Sequence, residues 1–105
     1  MEKEEILQAI RTKVKQIMPN GSRVILFWSQ ARGDAREDSD WDLLVILDKE
    51  QLKNSDHDAY CYPFFELGWH IDVQIHPMLY TVKDWLKRKF FPFYKNVEQE
   101  GIELC

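Results

Sequence analysis

Two short, unbroken apolar runs constrain this chain more than any other feature. Arg23-Val24-Ile25-Leu26-Phe27-Trp28 and Leu43-Leu44-Val45-Ile46-Leu47 are rich in β-branched, leucine and aromatic residues. Neither run alternates with polar residues, so each reads as a buried strand. Buried strands need helices over them, and the sequence supplies helical patterns. Residues 2–18 place Ile6, Leu7, Ile10, Val14, Ile17 and Met18 at helical spacing with Glu and Lys between them, and Pro19-Asn20-Gly21 then stops the helix. A second helix is expected from about Asp56 to Leu67, with Tyr60, Phe64 and Leu67 on one face and Gly68 as its terminator despite Pro63. Thr81-Val82-Lys83-Asp84 reads as an N-cap with an acidic third residue, opening a helix to about Lys89. Pro92 begins another through about Glu100, closed by Gly101. The expected fold class is α/β (α+β), a small mixed β-sheet packed by helices, as one domain over residues 1–105.

The segment His70 to His76 adds a third expected strand. Ile71, Val73 and Ile75 alternate with His70, Asp72, Gln74 and His76, the pattern of a half-buried strand with one polar face. Between the two apolar runs, Ser29 to Ser39 is polar and rich in Arg, Asp and Gly, so it reads as a loop or a single helical turn.

Length and charge narrow the function. The chain has 105 residues, enough for one compact core and too few for separate catalytic and recognition domains. Fourteen Lys and Arg stand against 18 Asp and Glu, a formal charge of −4. That balance argues against direct nucleic-acid binding, which depends on neutralising phosphates, and leaves room for a small anionic ligand. Cys61 and Cys105 are far apart and form no C-x-x-C pair, so they read as reduced thiols. The charged start, Met1-Glu2-Lys3-Glu4-Glu5, lacks the apolar stretch of an export signal, and no apolar run is long enough to span a membrane. A cytoplasmic location is expected.

The chemistry-bearing stretch runs from Leu26 to Val45. Asp40 and Asp42 stand at the start of the second strand, two residues apart, so both carboxylates leave one face. Their mutual repulsion raises one pKa unless a cation sits between them. Oxygen ligands suit Mg²⁺, which is usually shared with substrate phosphates. Asp72, on the polar face of the third expected strand, is the natural third carboxylate. Ser29, opening the turn after the first strand, can present its hydroxyl and neighbouring amides to phosphate. Metal carboxylates beside a phosphate cradle are the parts needed for nucleotidyl transfer.

Ser29, ten intervening residues that include Ala31-Arg32-Gly33-Asp34, and then Asp40-Trp41-Asp42 resemble the minimal nucleotidyltransferase domains of the DNA polymerase β-like superfamily. The resemblance covers most of the chain, through the Phe93–Ile102 segment. It implies a polymerase β palm-like fold in which Asp40 and Asp42 bind metal. Asp72 would complete the site and help to activate an acceptor hydroxyl. Ser29 would contact the triphosphate, and Arg32 would support the loop or the phosphates. It further implies a two-metal Mg²⁺ site with nucleotide bound, ATP as the donor, and a HEPN-domain toxin as partner. Some members transfer AMP to a tyrosine of that partner, as the antitoxin of a toxin–antitoxin pair.

One departure from the family pattern stands out. Gly usually precedes the motif Ser, allowing close phosphate approach and unusual φ/ψ, and here the residue is Trp28. The indole could fill the phosphate pocket or turn away and pack on the core. Trp28 therefore also motivates a rival reading, an antitoxin that neutralises its partner by contact alone. Small-molecule transfer is a third reading, with a homodimer completing the acceptor pocket. Homo- and hetero-oligomers both remain open. His70 and His76 read as solvent-facing strand histidines, with at most one near Asp72, and Arg36 reads as an exposed loop charge. Trp85, Phe90, Phe91, Phe93 and Tyr94 divide between core and a partner surface.

Overall fold

A computed structural model describes residues 1–36 and 39–105, and it makes both apolar runs the centre of one sheet. The chain runs α1 (Lys3–Ile17), β1 (Arg23–Phe27), α2 (Ser29–Arg32), β2 (Trp41–Leu47), α3 (Asn54–Tyr60), α4 (Tyr62–Ile71), β3 (Ile75–Thr81), α5 (Val82–Leu86), α6 (Pro92–Glu100) and β4 (Ile102–Glu103). The sheet order is β3-β2-β1-β4, with β1 antiparallel to both β2 and β4, and β2 parallel to β3. The parallel pair requires a crossover, which α3 and α4 provide.

Because side chains alternate across a strand, the two central strands feed two separate cores. Val24 and Leu26 of β1, with Trp41, Leu43, Val45 and Leu47 of β2, pack under α1 (Ile6, Ile10, Val14) and α4 (Phe64). Ile25 and Phe27, with Leu44 and Ile46, pack under α5 and α6 through Trp85 and Val97, with Phe93 and Tyr94 alongside. The second core is aromatic. The Trp85 ring stands 5.6 Å from Phe93 and 4.7 Å from Tyr94. Its indole Nε1 donates to Glu98 Oε2 at 2.8 Å. Glu98 also accepts from the Arg23 guanidinium at 2.8 and 3.0 Å, and Arg23 reaches Glu103 of β4 as well. One ionic cluster thus joins β1, α6 and β4. It holds the Glu98 carboxyl below its ordinary pKa, through the Arg23 bonds first and the indole bond second.

Several expected boundaries hold. Thr81 caps α5 by accepting from the Asp84 amide at 3.1 Å, although that helix ends at Leu86 and not near Lys89, and α6 starts at Pro92 and ends at Gly101. Gly101 is required for space, because a Cβ there would lie 2.4 Å from both Ile25 Cγ2 and the Val97 carbonyl. The Ser29–Ser39 segment contains the single turn α2, and its residues Glu37 and Asp38 lie outside the described residues.

Three expectations need correction. The helix read from Asp56 to Leu67 is two helices broken at Cys61, since Pro63 occupies the first turn of α4, where its missing N–H costs nothing. Gly68 does not end α4; it is buried within it, where a Cβ would meet the Val73 carbonyl at 2.7 Å. The third correction concerns the site. His70 and Ile71 form the last turn of α4, and Asp72 caps that helix in the left-handed conformation (φ 60°). Asp tolerates this conformation better than most residues. The strand starts only at Ile75, so the alternation from His70 to His76 spans a helix end, a cap and a connection, and Asp72 is not a strand residue.

Candidate active site

The register of the three adjacent strands sets the site. Phe27 at the end of β1 faces Asp42 of β2, and Asp42 faces His76 of β3. These three residues form a row on the face that carries the aromatic core. Phe27 is buried, whereas Asp42 is only partly covered and His76 is exposed. The row therefore leads from the core to solvent. Trp41, between the two aspartates, points to the opposite face and is buried there, and its amide donates to the Gln74 carbonyl at 2.8 Å. This anchor fixes the start of β2, and with it Asp40 and Asp42.

Asp40 and Asp42 influence each other as the spacing requires. Burial raises the Asp42 pKa; the His76 imidazole opposes the shift, and the Asp40 charge adds to it. His76 Nε2 lies 3.3 Å from Asp40 Oδ2. His76, read from sequence as a solvent-facing residue, is thus the side chain that β3 brings to the aspartate pair. Its only sequence signal was a shared parity with Asp72. The contact arises from parallel pairing across a crossover, which no local pattern encodes.

Among the described residues, no three His, Cys, Asp or Glu side chains converge on a metal position. The structure does not bring Asp72 into such a group, because it sits on the α4 cap upstream of β3. Ser29 opens α2 directly after β1, beside the row, and its carbonyl accepts from Gly33. The polar segment between the strands is tethered at several points. Gln30 Nε2 donates to the Ser39 carbonyl at 3.2 Å, the Arg36 amide to Ser39 Oγ at 2.8 Å, and Lys3 Nζ to the Ala35 carbonyl at 2.8 Å. Arg32 Nε donates to Asp34 at 3.3 Å, and its Nη1 lies 3.8 Å from Glu100. Both contacts are exposed and leave the guanidinium free to re-orient.

Trp28 precedes Ser29 at φ 60° and ψ −140°, a region that glycine enters freely and other residues enter at a cost of about 1–3 kcal/mol. The backbone thus keeps a glycine-like shape without glycine. Its ring packs edge-on to Phe27 (5.0 Å) and Phe93 (6.0 Å) and remains half exposed. The indole therefore packs at the edge of the aromatic core, on the same sheet face as Asp42.

This fold, with paired aspartates at the open end of its second strand and a serine turn beside them, defines a nucleotidyl-transfer class of α/β domain. The profile of the nucleotidyltransferase domain family matches residues 4–102, and the chain belongs to that family as a nucleotidyltransferase enzyme. It is 32% identical over 106 residues to a Methanocaldococcus jannaschii protein named "putative protein adenylyltransferase", covering 99% of this chain and all of that one. A solved structure of a "putative minimal nucleotidyltransferase" superposes with a TM-score of 0.62 at 30% identity, covering 97% of this chain and 95% of the other. A toxin–antitoxin crystal structure with AMP-PNP gives a TM-score of 0.62 at 19% identity, covering 94% of this chain and 72% of that one, and shares the fold. No helix among the described residues is long and apolar enough to cross a membrane.

Proposed function

We propose that this enzyme transfers AMP from ATP to a hydroxyl of a partner protein, a HEPN-domain toxin, and so acts as its antitoxin. The observation that carries the reading is the placement of Asp40 and Asp42 together beside the Ser29 turn, in a chain matched to the family from residue 4 to 102. The named relatives add an adenylyltransferase and a toxin–antitoxin pair holding an ATP analogue.

The donor set fits a hard divalent cation. Two carboxylates close enough to influence each other, one with a raised pKa, form a site that a cation stabilises and that repels itself without one. Asp40 and Asp42 would hold Mg²⁺, in a two-metal arrangement with nucleotide bound. When bound, the metal neutralises charge on the transferring phosphoryl group and on the leaving pyrophosphate. Ser29 and the adjacent amides would receive the triphosphate, with Arg32 swinging from its exposed carboxylate contacts to support it. In the reaction an acceptor oxygen bonds to the α-phosphorus, the bond to pyrophosphate breaks, and the hydroxyl proton is lost to a base. Asp72, the third carboxylate of the family pattern, lies off the strand, so its substitution should cost less activity than loss of Asp42.

The test is incubation of the purified chain and a HEPN-domain partner with α-³²P-labelled ATP and Mg²⁺. Label on the partner that Asp42→Asn abolishes supports the proposal; absence of transfer with every nucleotide, and with Mn²⁺ as well, overturns it. Trp28 favours a second reading, an antitoxin that works by contact alone. Neutralisation that survives Asp42→Asn would select it.

A further inference from the structure

The same strand that begins at the aspartates ends at a different kind of surface. Six residues beyond Asp42, about 20 Å along β2 at roughly 3.3 Å per residue, a cavity of about 800 Å³ opens between the β2–α3 connection and α5. Val82 and Leu86 line its apolar part, and Lys83, Lys87 and Lys89 line its α5 side. Across from them, Lys49 is tied to the buried Asp56 at 2.9 Å. Lys83 and Lys89 form no ion pair among the described residues, and Lys87 has only a loose one to Asp84 at 3.9 Å. Exposed apolar side chains continue the patch, with Leu86 50%, Phe90 79% and Phe91 60% accessible.

We propose that this cavity docks an acidic amphipathic segment of a partner protein, its apolar side chains entering against Val82 and Leu86 and its carboxylates pairing with Lys83, Lys87 and Lys89. Charge complementarity carries the choice of occupant. From Lys83 to Lys95 the chain has five cations and one carboxylate, although its overall charge is −4. The lysines line the α5 side of an apolar floor, while Asp48 and Glu50 line the opposite side, which matches a helix that is acidic on one side only of its apolar stripe. RNA fits less well, since its charge is not confined to one side and it needs a continuous cationic track. The distance from Asp42 keeps the docked segment clear of the transfer site, so that, resting on the transfer reaction proposed above, recognition and chemistry would occupy separate surfaces.

The probe is a synthetic helical peptide with leucines at i, i+3 and i+4 spacing flanked by glutamates, titrated by fluorescence anisotropy and by amide NMR shifts. Saturable binding that shifts Lys83, Leu86 and Lys89 is expected, weakened about tenfold or more by the double variant Lys83→Glu/Lys87→Glu and by Leu86→Ser. All three side chains are exposed, so unchanged circular dichroism and melting should show that these variants fold. Binding should be the same in Asp42→Asn, whatever the outcome of the transfer assay. Three results would overturn the proposal. These are no binding, equal binding of a peptide with lysine for glutamate, and displacement of the peptide by single-stranded RNA.

Discussion

The two faces of the sheet are built from alternate residues of the same strands, yet they do different work. The face under α1 and α4 is mostly aliphatic, with Trp41 and Phe64 its buried aromatic residues, and its β2 side chains are buried from Trp41 to Leu47. The face under α5 and α6 is aromatic and covered only in part. There Ile25, Leu44 and Ile46 are sealed, while the row continuing from Phe27 through Asp42 to His76 emerges into solvent. One face holds the chain together, and the incomplete cover of the other leaves Asp42 part-exposed and His76 exposed. Placing a carboxylate at the edge of a core raises its pKa, as at Asp42, and this is tolerable because the aspartate is half covered rather than sealed.

Substitutions on the two faces should therefore fail in different ways. The largest effect is expected at Asp42. Asp42→Asn should lower transfer by about a thousandfold, with the melting temperature unchanged or slightly raised because a penalised charge is gone; a matched loss of stability would erase the distinction between the faces. Phe64→Ala, on the sealed face, should lower unfolding free energy by about 3–5 kcal/mol, seen in urea titrations, while binding of nucleotide by the folded fraction is retained. Glu98 tests the rim of the open face. Its folded pKa lies below its unfolded value, so its contribution is present above about pH 4.3 and is lost as pH falls through the folded value. Melting temperature should drop across that acid range, and Glu98→Gln should be less stable at neutral pH with a shallower acid decline. Only a small net stability change is expected for Trp28→Gly. Relief of about 1–3 kcal/mol of backbone strain opposes the loss of two edge-on ring contacts worth about 0.5–1.5 kcal/mol each. Calorimetric titration with a non-hydrolysable ATP analogue then separates the readings, since much tighter binding in the glycine variant would identify the indole as an obstruction.

What the sequence disclosed was local. Helical spacing marked α1, Pro92 and Gly101 bracketed α6, and unbroken apolar runs marked β1 and β2, because each signal lies within one element. The aspartate pair was legible for the same reason, since Asp42 lies on β2 and Asp40 just before its first residue. The misplacement of Asp72 shows where local reading ends. Alternation over seven residues cannot distinguish a strand from a helix end followed by an extended connection, and the helix continued because Gly68 is needed for contact with Val73 rather than for termination. The approach of His76 to Asp40 and the pairing of β4 with β1 depend on chain segments that meet only after folding.

That last pairing has a consequence for how the protein is made. β1 emerges before β4 in synthesis, and one of its two edges is closed only when Ile102 pairs with Leu26 and the Leu104 amide reaches the Val24 carbonyl at 2.7 Å. Until then the nascent chain carries a strongly apolar strand with an unpaired border, the condition that favours sticking to other chains. A contact spanning almost eighty positions also folds slowly, because its loop must close before any bond rewards it. The order in which segments become available therefore bears on this small domain alongside its final stability.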